Sequence, residues 1–141
     1  MEITQQQQTE LDRIGKKYDL RFVILHGSYA TGKQHRGSDL DIAVLEMHPT
    51  ESRSFLEMYG DFAQIFGDNR ERELDLKTLR HTDPLFRYHV VRDGVLLYGN
   101  RLEYDEFTAY AFRVYIDSRD LRILEEKLLR KSIQQLKTHY A

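Results

Sequence analysis

The stretch Gly27-Ser28-Tyr29-Ala30-Thr31-Gly32-Lys33-Gln34-His35-Arg36-Gly37-Ser38-Asp39-Leu40-Asp41 decides the fold. Phe22-Val23-Ile24-Leu25-His26 runs before it and Ile42-Ala43-Val44-Leu45 after it, both short apolar runs of strand character. The whole reads as strand, turn, short helix, strand. Its last residues carry two carboxylates two positions apart. Side chains alternate along a strand, so Asp39 and Asp41 are expected on one face, with Leu40 and Ile42 on the other. Two carboxylates a few ångströms apart repel unless a cation sits between them, and hard divalent ions, above all magnesium, suit such an oxygen pair. At the other end, Gly27 removes the side chain where a phosphate must come close to backbone. Ser28 opens the short helix, where free N–H groups and the helix dipole attract anions. A phosphate end and a metal end together describe a site for a nucleoside triphosphate.

The pattern Gly-Ser, ten residues, Asp-x-Asp resembles the signature of the DNA polymerase β-type nucleotidyltransferase superfamily. Four fixed residues would match by accident on the order of once in a thousand chains of this length, so chance is the poorer explanation. Given its small size, the chain also resembles a minimal nucleotidyltransferase, the antitoxin partner of HEPN-domain toxins. Residues about 20 to 80 carry this resemblance by motif, and the rest by layout only. The resemblance implies ATP as substrate, magnesium (two ions) as cofactor, and transfer of AMP to a tyrosine hydroxyl of a partner HEPN ribonuclease, which silences the toxin. It also implies a third acidic residue on a later strand. Many relatives carry Arg just after the Gly-Ser, where this chain has Tyr29 and Thr31.

With 141 residues, the chain is expected to be one domain with a real hydrophobic core. A hydrophobic fraction of 40% and a charged fraction of 31% suit a folded protein rather than a disordered one. The formal net charge of −2 gives no bulk attraction to nucleic acid, so no direct nucleic-acid binding is expected. Cys is absent, which excludes disulfides and thiolate metal sites. No apolar leader or long apolar span is visible, so a cytoplasmic protein without a membrane helix is the expectation.

Along the chain, a helix is expected over residues 3 to 17, its better-patterned part opening near Thr9, with Gly15 and Tyr18-Asp19 marking its end. Pro49-Thr50-Glu51-Ser52 offers turn and cap chemistry ahead of an amphipathic helix marked by Phe55, Leu56, Tyr59, Phe62, Ala63 and Phe66. Gly67-Asp68-Asn69 stops it. Arg72-Glu73-Leu74-Asp75-Leu76-Lys77 alternates polar and apolar residues and predicts a third strand. Thr82-Asp83-Pro84 opens a further helix up to Asp93-Gly94, followed by the short apolar run Val95-Leu96-Leu97-Tyr98. From Leu102 to Leu136 there is neither Gly nor Pro, which predicts one long helix or two joined near Asp117. Phe107, Tyr110, Phe112 and Tyr115 are read as core.

The expected architecture is α/β (α+β): a small mixed sheet of three or four strands flanked by helices, with a catalytic core over about 20–99 and a C-terminal helical extension over about 102–138. Asp39, Asp41 and Asp75 are the candidate catalytic and metal-holding residues, and Glu73 is the weaker substitute for Asp75. Gly27, Ser28, Ser38, Lys33 and Arg36 are the candidate nucleotide-binding residues. His26 shares a strand face with Phe22 and Ile24 and reads as a core histidine. Two other readings stay open: an antitoxin that neutralises its partner by binding alone, and a nucleotidyltransferase acting on a small hydroxylated molecule such as an aminoglycoside.

Overall fold

The two apolar runs flanking the Gly-Ser…Asp-x-Asp stretch pair with each other at the centre of a sheet. In the computed structural model, which describes residues 1–140, they are β1 (Leu20–His26) and β2 (Leu40–Glu46), joined through the single-turn helix α2 (Ser28–Thr31). They run antiparallel, with Val23 opposite Val44 and His26 opposite Asp41. The third strand, β3 (Leu74–Thr78), joins β2 in parallel, and β4 (Val95–Tyr98) closes the other side against β1, giving the order β3-β2-β1-β4. The sheet is therefore mixed and four-stranded. β3 is shorter than its pattern predicts, because Asn69 and Arg72 bridge to each other in a turn and Glu73 contributes only its carbonyl, which accepts the Leu40 N–H at 2.8 Å.

Each face of the sheet has its own core. On one, Val23, Leu25, Ile42 and Val44 pack against Leu11 and Ile14 of α1 (Gln5–Lys17) and Met58, Phe62 and Phe66 of α3 (Ser52–Phe66). On the other, Phe22, Ile24 and Ala43 pack against Val90 and Val91 of α4 (Pro84–Asp93) and Tyr104, Phe107 and Ala111 of α5 (Arg101–Asp117). Strand alternation places His26 beyond Ile24, and Asp41 before Ala43, on this second face. The sheet thus aims its polar strand ends toward α4.

Local chemistry sets the helix ends. Thr4 caps α1 in a reciprocal capping box with Gln7, so the Gln run lies in the helix, as the expected span of 3 to 17 had it. Gly15 does not end α1. It is buried inside the helix, where the Tyr98 ring occupies the space a Cβ would need. Glu51 precedes α3 without a capping side-chain bond, whereas Asp83 caps α4 and Pro84 takes its first position as expected. In α3 the buried side is Met58, Phe62 and Phe66, and Leu56 stands 71% exposed instead of joining the core. The C-terminal segment is two helices, α5 and α6 (Arg119–Tyr140), joined at Ser118. Only Phe107 of the expected aromatic core stripe is buried, while Tyr110 and Phe112 are about half exposed. α6 has no buried residue, and no helix among the described residues is long and apolar enough to cross a membrane.

Gly94 fixes how closely α4 approaches β1. A Cβ there would meet the Val90 carbonyl at 2.4 Å and Ile24 Cγ2 at 2.6 Å. Gly94→Ala should therefore lower stability by about 1–3 kcal/mol, read as an earlier midpoint in urea denaturation.

Candidate active site

The parallel register of β2 and β3 places Asp75 directly beside Asp41, and both point to the face covered by α4. Burial, and then the neighbouring Asp75 carboxylate, push the Asp41 pKa up; Asp39 adds to the same repulsion. Asp39 itself is exposed and lies one residue ahead of β2, so strand alternation does not fix its side chain as predicted.

Gly27 forms the other wall. Its φ of 70° and ψ of −154° belong to glycine, and a Cβ there would stand 2.2 Å from Asp41 Oδ2. The bare backbone of Gly27 therefore cradles the Asp41 carboxylate. Ser28 follows as the first residue of α2. Ser38 is 7% exposed, and its Oγ accepts the His35 N–H at 2.9 Å, which makes it the residue that turns the loop into β2. Lys33 lines a cleft beside Gly27, whereas Arg36 is exposed on the loop and takes no part in that cleft.

Two further residues lie beside these carboxylates that the motif alone did not single out. Lys77 lies two positions after Asp75 on β3, and its Nζ meets Asp75 Oδ2 at 2.9 Å, which raises the Lys77 pKa. The i, i+2 spacing on an alternating strand was the available signal. His26 is the second. It is 9% exposed, its Nε2 has no hydrogen-bond partner, and burial followed by the nearby Lys77 cation pushes its pKa down to about 4. It sits in the core as expected, but unsatisfied.

Among the described residues no three His, Asp or Glu side chains stand ready-gathered around a metal position. Lys77 engages Asp75, and Asp39 lies outside the strand. The residues nonetheless fit magnesium. The donors are all carboxylate oxygens, as a hard divalent ion requires. The Asp41 pKa is raised first by burial and then by the neighbouring Asp75 carboxylate, and a bound cation would offset both.

Residues 9–103 match the family model described as polymerase beta, nucleotidyltransferase. Over 96 residues the chain is 31% identical to protein adenylyltransferase MntA of Shewanella oneidensis, a match taking in 68% of this chain and 66% of that relative's length. Two solved structures share the fold. One is a toxin–antitoxin with AMP-PNP, at TM-score 0.69 and 23% identity over 86% of this chain and 98% of the other. The second is a tri-AMPylated Shewanella oneidensis HEPN toxin in complex with MNT antitoxin, at TM-score 0.65 and 20% identity over 89% of this chain and 98% of the other. With Asp41 and Asp75 in register on neighbouring strands and Gly27-Ser28 closing the site, the chain belongs to the polymerase β nucleotidyltransferase family.

Proposed function

We propose that the protein is a magnesium-dependent protein adenylyltransferase serving as an antitoxin, which moves AMP from ATP to a tyrosine hydroxyl of a partner HEPN ribonuclease and so neutralises it. The observation that carries this reading is the in-register pair Asp41 and Asp75, with the Gly27 backbone against Asp41. Clustered carboxylates cost a fold stability, and a protein that only binds has no use for them.

Asp39 and Asp41 would hold the metal that accompanies the triphosphate, and Asp75, released from Lys77, would share a second with them. When bound, magnesium neutralises phosphate charge and lowers the pKa of the acceptor hydroxyl. The chain's own residues supply position. Gly27 and Ser28 leave room and backbone N–H groups for the phosphates. Asp75 orients the acceptor hydroxyl and receives its proton. The acceptor oxygen bonds to the α-phosphorus, the bond from that phosphorus to the oxygen bridging the β-phosphate breaks, and pyrophosphate leaves.

The C-terminal arm supports a protein acceptor. α6 exposes Leu121, Leu124, Leu128, Leu129, Ile133 and Leu136 along 22 residues, an apolar surface of the kind that docks against a helical partner. We place residues 1–141 in one unit, with ATP drawn from the cytoplasm. Binding-only neutralisation is the second reading, and the Asp75–Lys77 ion pair is the observation that favours it.

Incubation with magnesium, the neighbouring HEPN partner and ATP labelled at either the α- or the γ-phosphate tests the reading. Label from α-labelled ATP alone is expected on the partner. Transfer from the γ position would indicate a kinase, and label on a small hydroxylated molecule but not on protein would move the acceptor.

A further inference from the structure

At the end of the sheet away from the carboxylates lies a second pocket, of about 250 Å³. It is lined by the apolar Leu45, Leu79 and Phe107 and by the basic Arg80, His81 and Arg87, with no acidic residue among them. Each arginine has its Nε buried without a hydrogen-bond partner, while the terminal nitrogens are not closed off in this way. Arg80 uses Nη1 on the Glu46 carbonyl, at 3.1 Å. Arg87 uses nothing: among the described residues no hydrogen bond or ion pair engages its side chain. A guanidinium carries five N–H donors in a rigid fork, and such donors are normally met by protein, water or ligand. The neighbouring acids are engaged elsewhere. Glu46 accepts the Thr78 hydroxyl at 2.6 Å, and Asp83 turns back to cap α4 at the Leu85 N–H, 2.7 Å away.

We propose that this pocket docks an acidic side chain of the protein acceptor, at a place distinct from the one where the acceptor tyrosine reacts. The assignment rests on the protein-acceptor reading above and names a contact by which that acceptor is held. The chemistry fits, because a guanidinium fork matches a carboxylate with two parallel hydrogen bonds. The position fits as well. Leu45 and Leu79 stand four residues beyond Asp41 and Asp75 on the neighbouring strands β2 and β3, and alternation puts all four on the same face. Four strand residues span roughly 13 Å. β3 is the edge strand, so the carboxylates and the pocket are reached along one side of the sheet. A protein that brings a tyrosine to Asp75 extends over the pocket; a small acceptor does not.

A nucleic-acid phosphate is the poorer occupant. A polyanion is held by a track of cations, whereas the chain carries a formal net charge of −2 and the next cation along β3, Lys77, is paired with Asp75 at 2.9 Å. Free inorganic phosphate would leave the apolar lining uncovered. Leu45, Leu79 and Phe107 give the aliphatic stem of an acidic side chain a surface to lie on. The pocket suits an acid carried on an apolar stem.

Steady-state transfer to the HEPN partner, with partner and ATP varied separately, tests the assignment beside calorimetric titration of the same partner. Arg87→Glu reverses a charge that no contact within the chain uses. It is expected to raise KM for the partner by about tenfold or more, with kcat, KM for ATP and the thermal midpoint unchanged. Arg87→Lys, which keeps the charge and loses the fork, should fall between. Arg53→Glu, an equal charge change on an exposed residue of α3, should leave KM for the partner as it is. An equal rise in both reversals would make the effect one of net charge and overturn the proposal. Active wild-type protein with KM unchanged in Arg87→Glu would overturn it while sparing the adenylyltransferase reading. A fall in kcat or thermal midpoint alone would mean a structural role and overturn it too. Single-stranded RNA bound by wild type and lost in Arg87→Glu, with partner affinity unchanged, would make the pocket a nucleic-acid site instead. Wild-type protein that transfers nothing would sink the adenylyltransferase reading, and a loss of partner affinity in Arg87→Glu would then still support the pocket.

Discussion

Asp41→Asn is expected to reduce adenylyl transfer on the order of 10³-fold or more, while leaving the protein folded and more heat-stable in metal-free buffer. Both effects come from one carboxylate. Its pKa is raised by burial and by Asp75 beside it in register. A carboxyl group whose folded pKa lies above its unfolded value favours the fold only while protonated, and that contribution is lost as pH rises through the folded value. At neutral pH the ionised Asp41 therefore destabilises the metal-free fold. Asn keeps the shape and removes the charge, so Tm should rise by on the order of 3 °C without metal. Magnesium and ATP should then raise the Tm of the wild-type protein but not of the variant, because ligand that binds only the native site stabilises by mass action. A variant that loses activity together with its fold would contradict this division between function and stability.

Gly27→Ala should cut transfer by about 100-fold, the scale of a misplacement of roughly 1 Å at a reacting centre. Two independent costs meet at this position. The backbone lies at φ 70° and ψ −154°, a region that a residue with a Cβ occupies only at a cost of about 1–3 kcal/mol. The added methyl would also stand 2.2 Å from Asp41 Oδ2, so the carboxylate must move. Gly32→Ala separates the two. Gly32 has φ 73° but open space around its missing Cβ, so that variant should lose stability yet keep most of its activity. Steady-state transfer rates beside urea midpoints for both variants provide the comparison. Equal activity loss at Gly27 and Gly32 would mean that backbone strain, not displacement of Asp41, is responsible.

The candidate face was legible in the sequence because its signals are local. Gly27-Ser28 and Asp-x-Asp stand between two apolar runs, and the alternation around Asp75 set its carboxylate opposite Leu74 and Leu76. That Asp41 and Asp75 would share a register needed the parallel pairing of β2 with β3, a long-range choice to which no local pattern points. The C-terminal aromatics misled because periodicity marks an apolar face without saying what covers it. Phe107 meets Phe22 in the core, whereas Tyr88 stacks on Tyr115 at 4.3 Å and Arg122 lies 4.2 Å from the Tyr115 centroid, leaving Phe112 outside. The extent of the helical segment was clear from its lack of Gly and Pro, and of the two readings, one helix or two joined near Asp117, the second holds. There Arg122 donates to the Tyr115 carbonyl and to Ser118 Oγ, side-chain bonds that residue spacing does not reveal.

Intact-mass spectrometry of the HEPN partner, after incubation with this protein, magnesium and ATP, tests the central claim most directly. Mass increments of whole adenylyl groups are expected on the partner, localised to tyrosine by peptide fragmentation and absent when Asp41→Asn replaces the wild-type protein. A partner that is neutralised with its mass unchanged, by wild type and variant alike, would contradict the claim and leave binding alone as the mode of neutralisation.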